Sequence, residues 1–460
     1  MKKFIGRKTE VELLKKTINS NKNEFVLVYG RRRVGKTELI KHLKNSFDGD
    51  FIYFIAEQTE YNTNLQNLTQ IINSVCNHYG SFERIEDIFS FLYEESKNKK
   101  ITIVLDEYPH LRAKKDGLDS ILNAIWENND YQDGNLKIII CGSYIDIMKN
   151  IISHTNPLYG RMTCVIKLNP MNYLESAQFY PRASNIEKVY YYSCFNGIPY
   201  YNSFIDDSFS FEENVKNIIL NEHSILENEP QIILTNELVK IEGANTVLDV
   251  ISNGTVKYCD ILNKSKLPNA ANLNYILNKL IDMELVKKTF PINQINNPKR
   301  TFYSINDRFL LFYYKYVFKK LSYKTIMPIQ DFFNKYIKES FYKDYVPKAF
   351  EEICSQYLIY QSISGKHLIY EIGKYWYNDQ KNHINGEIDL VAKNDDGYTA
   401  YECKFNQSRI LTKLDMQDQI QNYHKLNLPF KKIHYFVINK PNVKINDIEF
   451  TTLSDIYNPK

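Results

Sequence analysis

Phe25-Val26-Leu27-Val28-Tyr29-Gly30-Arg31-Arg32-Arg33-Val34-Gly35-Lys36-Thr37 is an apolar run that breaks into a glycine-bounded basic loop. Gly30 to Thr37 fits G-x-x-x-x-G-K-[ST], a phosphate-binding pattern. The five residues before it have strand composition. Glu38 to Lys44 after it are helix formers, with Leu39, Ile40 and Leu43 at helical spacing. Strand, glycine turn and helix are the context this loop requires. Its glycines let backbone N–H groups approach a phosphate, and the helix start adds partial positive charge. The residues expected to contact a nucleoside triphosphate are Gly30, Arg31, Arg32, Arg33, Val34, Gly35, Lys36, Thr37 and Glu38. Lys36 is expected at the β/γ-phosphates and the Thr37 hydroxyl on Mg²⁺.

The totals set the frame. A chain of 460 residues is long enough for two to four domains. Its 43% hydrophobic and 24% charged content is that of a soluble globular protein. A net charge of +4 is too small to argue by itself for a nucleic-acid partner. Seven cysteines occur singly, which fits reduced thiols and a cytoplasmic setting. No stretch has the length of a signal peptide core or a membrane span, so no membrane partner is expected.

Further strands follow the loop. Phe51 to Ile55 is one, and Ile101-Thr102-Ile103-Val104-Leu105 is another that delivers Asp106-Glu107. An apolar strand ending in two acids is the Walker B arrangement: Asp106 for Mg²⁺, Glu107 to polarise the attacking water. Lys137 to Cys141 forms a fourth strand ending at Gly142-Ser143, where Ser143 either senses the γ-phosphate or caps the turn. Asn156-Pro157-Leu158-Tyr159-Gly160-Arg161 is a turn-rich loop presenting one arginine, followed by a fifth strand from Thr163 to Leu168. Arg161 is either a surface residue or a group that meets charge developing on the γ-phosphate, in cis or from a neighbouring subunit. Strands alternating with helices imply an α/β fold with a parallel sheet covered on both faces.

Phosphate loop, acidic pair, strand-end serine and arginine loop resemble the AAA+/STAND class of P-loop ATPases. Phe4-Ile5-Gly6-Arg7, Gly30 to Thr37 and Pro157 to Arg161 resemble a prokaryotic, especially archaeal, group within it. That resemblance implies the strand order 5-1-4-3-2 and a helical lid. Gly197-Ile198-Pro199-Tyr200 is similar to the lid's G-x-P element, which puts Pro199 near the nucleotide; a plain loop turn is the alternative.

From Asn236 to Asp307 the pattern is three short helices and a hairpin. Val247, Val250 and Ile251 mark the first; Val256, Ile261 and Leu262 suggest the second; Leu273, Ile276, Leu277, Leu280 and Ile281 line one face of the third. Leu285 to Phe290 and Thr301 to Ile305 read as strands around a loop holding Asn297-Pro298-Lys299-Arg300. This resembles a winged helix. Lys287, Lys288, Lys299 and Arg300 make only a modest basic wing, so DNA contact and a packing or regulatory use both stay open. Phe312 to Leu321 reads as one aromatic core helix.

In the last third, Gly386 to Ala392 and Tyr398 to Phe405 read as strands joined at Asp395-Asp396-Gly397. Asp389 therefore lies on one strand, and Glu402 and Lys404, two apart, project from one face of the next. Two carboxylates and a lysine suit Mg²⁺ or Mn²⁺ and water activation against a phosphodiester. A solvated hairpin face is the alternative. The pattern resembles the PD-(D/E)xK nuclease fold, with Ile388 where proline is usual. That resemblance implies a further acid, Glu351, on an upstream helix, and it extends to Gln419 and Tyr423 in the Q-x-x-x-Y of the RecB-like branch. Many relatives of such folds do not cleave.

The resulting expectation is four domains: a P-loop ATPase core at 1–180, a helical lid at 181–235, a winged helix at 236–320 and a nuclease-like domain at 321–460. ATP and Mg²⁺ are the expected cofactors, with Mn²⁺ an alternative at the second site. DNA is the expected macromolecular partner, and a homo-oligomer or a regulatory protein is allowed. An ATP-driven switch controlling a nuclease is the leading function. A regulatory or scaffolding ATPase that binds without cutting is the rival.

Overall fold

The computed structural model describes residues 4–128, 133–238, 240–294, 301–379, 384–395, 397–406, 412–425, 430–441 and 448–459. They divide into two compact units. The first is 1–171 with 198–200, and the second is 172–197 with 201–460.

The first unit is built on five parallel strands: β1 (Glu24–Tyr29), β2 (Asp50–Ile55), β3 (Ile101–Asp106), β4 (Leu136–Gly142) and β5 (Cys164–Lys167). Their order is β2-β3-β4-β1-β5, the one the family resemblance implies. β1, β3 and β4 are buried along their whole length. Burial on both faces is why they read as predominantly apolar runs rather than alternating ones, with Thr102 and Lys137 among the buried polar exceptions. On one face, Phe25, Leu27, Ile103 and Ile138 pack with Leu65 and Leu68 of helix Tyr61–Cys76, Ile88 and Leu92 of helix Ile85–Ser96, and Leu122 of helix Leu118–Glu127. Residues of the opposite parity, such as Val26, Val28, Val104 and Ile139, are buried too. Helices Lys8–Ile18 and Lys36–Lys44 contribute Leu14, Ile18, Leu39, Ile40 and Leu43 to the buried set.

The second unit holds three helices, Glu242–Ser252, Tyr258–Ser265 and Ala270–Asp282, followed by the antiparallel pair β6 (Val286–Thr289) and β7 (Phe302–Ile305). Leu273, Leu277 and Leu280 are the buried face of the third helix, and the Asn269 side chain caps its start by accepting from Asn272 N at 2.9 Å. Val256 precedes the second helix rather than lying on it, and its carbonyl accepts from Tyr303 N of β7 at 2.8 Å. Asn297-Pro298-Lys299-Arg300 lies outside the described residues. The aromatic stretch is also shorter than expected: helix Arg308–Tyr316 gives way to a 3-10 turn at Phe318–Lys320 and a separate helix, Leu321–Ile326. Tyr313, Tyr314 and Phe318 cluster across that break.

The same unit contains a mixed sheet, ordered β12-β11-β10-β9-β8, of β8 (Glu371–Asp379), β9 (Ile384–Asn394), β10 (Gly397–Lys404), β11 (Phe430–Val437) and β12 (Ile448–Thr452). β8, β9 and β10 are antiparallel neighbours, whereas β10, β11 and β12 run parallel. Helix Lys413–Lys425 makes the β10-to-β11 crossover and packs Met416 and Tyr423 with Ile388, Val391, Ala400 and Tyr435. Helix Val346–Ile363 supplies Phe350 against Phe405 and Tyr357 against Phe436. Asp396 of the expected turn lies outside the described residues. Gly397 beside it takes φ +112°, a conformation that favours glycine.

Candidate functional site

Two groups of polar side chains stand out, one in each unit. In the first, the loop between β1 and helix Lys36–Lys44 wraps the Lys36 ammonium. It donates to the carbonyls of Gly30 at 2.9 Å and Arg31 at 3.1 Å. Burial lowers the Lys36 pKa, against the raising effect of Glu107 and Asp106. Gly30 permits the loop's close approach: a Cβ there would sit 2.3 Å from the Leu168 carbonyl oxygen. Arg33 takes a left-handed φ of 70°.

Arg7 holds the loop from behind. Its guanidinium is buried and donates to the carbonyls of Val34 at 3.0 Å and Asn169 at 2.6 Å. In front, Ile198–Tyr200 belongs to this unit. Tyr200 N donates to Arg33 O at 3.4 Å, the Arg33 guanidinium lies 4.0 Å from the Tyr200 ring centre, and Pro199 Cγ is the nearest atom to a Cβ at Gly35, 3.8 Å away. Glu38 is exposed and pairs with Lys41 at 3.6 Å.

Asp106 ends β3 facing the loop. Its Oδ2 accepts from Thr37 Oγ1 at 3.0 Å and from the Tyr53 hydroxyl of β2. Glu107, next in the chain, adopts a left-handed φ of 52°. Its Oε1 accepts from Ser143 Oγ at 2.8 Å, while Oε2 is buried with no hydrogen-bond partner among the described residues. A buried carboxylate oxygen left unsatisfied is costly unless something fills the site. Thr37 and Asp106, hydrogen-bonded to each other, are the oxygen donors that could hold a divalent cation, and Ser143 is bound to the adjacent Glu107. Arg161 lies elsewhere: its Nε donates to Asn123 Oδ1 at 2.9 Å and its guanidinium pairs with Glu127. The loop carrying it is anchored by Asn156, which donates to Asp119 at 2.7 Å; Asp119 also accepts from Tyr108 at 2.6 Å and pairs with Arg112 at 2.9 Å. Nothing in the spacing of Asn156 and Asp119 signals this network.

The second group is centred on β9 and β10. Asp389 Oδ2 accepts from Cys403 N at 2.9 Å and lies 3.8 Å from Lys404 Nζ. Lys404 donates to Glu402 Oε2 at 2.6 Å. The other Glu402 oxygen accepts from the Tyr423 hydroxyl, which accepts from Gln419 Nε2 at 3.1 Å; Gln419 Oε1 in turn accepts from Tyr435 at 2.8 Å. Burial, Glu402 and Glu351 together push Asp389 up to about 7, opposed by Lys404 and the Cys403 N–H. Burial depresses Lys404, but the two carboxylates outweigh it and raise it. Glu351, on helix Val346–Ile363, pairs with Lys374 of β8 at 2.7 Å, and Lys374 reaches Glu387 at 3.5 Å. Among the described residues, no three His, Cys, Asp or Glu side chains converge closely enough to hold a metal ion. The donor set is nevertheless all oxygen, the chemistry of Mg²⁺ and Mn²⁺. Lys374 and Glu387 carry no recognisable spacing and were not expected in the site.

Sheet order, loop and acidic pair define a P-loop ATPase of the α/β class. Residues 4–202 match the family described as an ATPase domain predominantly from Archaea, and residues 313–418 match one of archaeal and bacterial proteins of unknown function. The chain is 29% identical to an uncharacterized protein of Methanocaldococcus jannaschii, across 85% of this chain and 84% of that one. A second protein of that organism, an uncharacterized ATP-binding protein, is 55% identical over 8% of this chain and 64% of its own length. The Walker-type ATPase of Pyrococcus abyssi shares the fold, with TM-score 0.50 and 20% identity over 67% of this chain and 95% of that one. No helix among the described residues is long and apolar enough to cross a membrane.

Proposed function

We propose that this protein is an ATP-binding and ATP-hydrolysing switch that controls a metal-dependent, nuclease-like second unit acting on nucleic acid, most simply DNA. The observation carrying this reading is the occurrence, on one chain, of two separate constellations of acids and a lysine. In the first, Gly30 to Thr37 cradle the phosphates, Lys36 neutralises them, and Thr37 and Asp106 hold Mg²⁺. Glu107, held by Ser143 through Oε1, offers Oε2 to polarise the attacking water. Pro199 and Glu38 flank the nucleotide. Arg161 acts, if at all, only after leaving Glu127, in cis or from a second copy of the chain.

In the second constellation, Asp389, Glu402 and Glu351 are the residues that would hold Mg²⁺ or Mn²⁺. The cation supplies a polarised water and neutralises a phosphate oxygen. Lys404, bonded to Glu402, would orient the nucleophile at this site, and Tyr423 fixes the carboxylate. The three-helix and hairpin segment, read as a winged helix, offers Lys287 and Lys288 to a phosphate backbone. Seven free thiols fit a cytoplasmic protein.

The test is cleavage of DNA and RNA by the purified chain with Mg²⁺ or Mn²⁺, with and without ATP. Lys36→Ala should abolish ATP hydrolysis and the ATP-dependence of cleavage; Lys404→Ala should abolish cleavage and leave ATPase activity intact. Absence of any cleavage sensitive to Glu402 and Lys404 would remove the nuclease from this reading. One observation favours the rival, a regulatory ATPase that binds without cutting: Glu351 is engaged by Lys374 instead of joining Asp389 and Glu402. That rival expects Lys36→Ala to abolish partner binding and Lys404→Ala to change nothing.

A further inference from the structure

Lys374 sits at the one register shift in the pairing of β8 with β9. Gly373 faces Val391 and Tyr375 faces Ile388, so β9 carries one extra residue there and Asp389 and Leu390 together lie opposite Lys374. Such irregularities re-aim a side chain and recur beside functional sites. Here the bulge falls at Asp389 itself, and the lysine opposite it reaches the neighbouring carboxylates. Lys374 Nζ lies 2.7 Å from Glu351 and 3.5 Å from Glu387, whose other oxygen accepts from Trp376 Nε1 at 3.1 Å.

Four carboxylates thus have two lysines between them. Lys404 serves Glu402 and Asp389; Lys374 serves Glu351 and Glu387. The helical acid that would complete a cation's oxygen shell is held by an ammonium instead. A carboxylate at 2.7 Å from an ammonium cannot also make full use of its oxygens on a divalent cation, which binds them at about 2.0–2.6 Å.

We infer that Lys374 is the resident counter-ion of the carboxylate group: a positioning residue that keeps Glu351 out of a divalent cation's shell and is displaced when the cation binds. This rests on the reading of Asp389, Glu402 and Glu351 as cation ligands. Lys374 has a route out, since its side chain is about one-third exposed, at 35%, on a flexible four-carbon stem. Displacement makes the apparent affinity of the cation lower than its intrinsic affinity by the fraction of chains in which Glu351 is released.

The experiment is Mn²⁺ binding to the nucleotide-free full chain, read by electron paramagnetic resonance or calorimetry, with Asp389→Asn as the baseline for cation bound elsewhere. Lys374→Met should bind Mn²⁺ about tenfold more tightly than the unaltered chain, whereas Lys374→Arg, which keeps the pair, should stay near it. A merely structural lysine would leave affinity unchanged or weaken it on removal, and either result overturns the inference. The double variant with Glu351→Gln separates position from charge. If Lys374 acts by holding Glu351, its removal gains nothing once Glu351 is gone; an equal gain in that background means simple charge repulsion and overturns the inference. If the unaltered chain and Asp389→Asn bind Mn²⁺ alike and Lys374→Met adds no site, the cation site itself is absent and the underlying reading falls with it.

Discussion

Asp389 is ionised less readily than an ordinary carboxylate, pushed up from 3.8 to about 7 by burial and by Glu402 and Glu351. The folded chain holds that proton more tightly than the unfolded one. Its contribution to stability is therefore complete below pH about 4 and is lost as pH rises through about 7. Asp389→Asn removes the ionisable group and keeps an acceptor for Cys403 N. It should stabilise the cation-free protein at pH 8 by on the order of 2 kcal/mol and at pH 5 by only about a third of that. Urea midpoints at the two pH values check this, and an equal shift at both would refute it. Arg161 makes the opposite case. Its pair with Glu127 is largely solvent-facing, so Arg161→Ala should change stability by less than about 1 kcal/mol. A fall in ATPase rate in that variant would then report chemistry rather than folding. If the fall depends on protein concentration, the arginine is supplied by a second copy.

Among elements, the phosphate loop is confined by what lies behind it. Gly30→Ala forces a Cβ against the Leu168 carbonyl, a backbone atom that β1–β5 pairing fixes in place. About 1–3 kcal/mol of destabilisation and a loss of nucleotide binding are expected, measurable by denaturant melts and a fluorescent-nucleotide titration. Arg7→Met should raise the KM for ATP more than it lowers stability, because it frees the Val34 carbonyl. These elements were legible in the sequence to unequal degrees. β1, β3 and β4 announce themselves as predominantly apolar runs, with Thr102 and Lys137 among the exceptions, because both of their faces are covered. The acids at the end of β3 and the hairpin acids on β9 and β10 follow from strand period. Other residues left no such mark. Tyr53 reaches Asp106 only because β2 pairs with β3 in one register. Glu127 meets Arg161 across 34 residues. A lone lysine in a strand gives no sign that it will pair with Glu351. The aromatic run from Phe312 to Leu321 is apolar enough for one helix, yet tertiary packing of Tyr313, Tyr314 and Phe318 breaks it.

For the molecule as a whole, the central question is whether the two units share free energy. Nucleotide binding alone should raise the melting temperature of the full chain, by the equivalent of about 2.7 kcal/mol at a hundredfold excess over Kd, and Lys36→Ala should erase that shift. A switch requires more. If ATP changes the Mn²⁺ affinity of the Asp389 site by some factor, Mn²⁺ must change the ATP affinity by the same factor. Titrating each ligand in the presence of the other measures both. Equal factors different from one identify a switch, and factors of one identify two independent units on a shared chain.

The crossover from β10 to β11 has a consequence for how the protein is made. β9 and β10 are joined by a short turn and can pair as soon as both leave the ribosome, whereas parallel pairing with β11 waits for the connecting helix. That helix carries Gln419 and Tyr423, and β11 carries Tyr435. A growing chain therefore displays Asp389, Glu402 and Lys404 before the hydroxyl that fixes Glu402 has been synthesised. The order of synthesis thus sets the order of assembly of this hydrogen-bond network: the hairpin acids come first, and the Tyr423–Gln419–Tyr435 chain that holds Glu402 closes only when β11 joins the sheet.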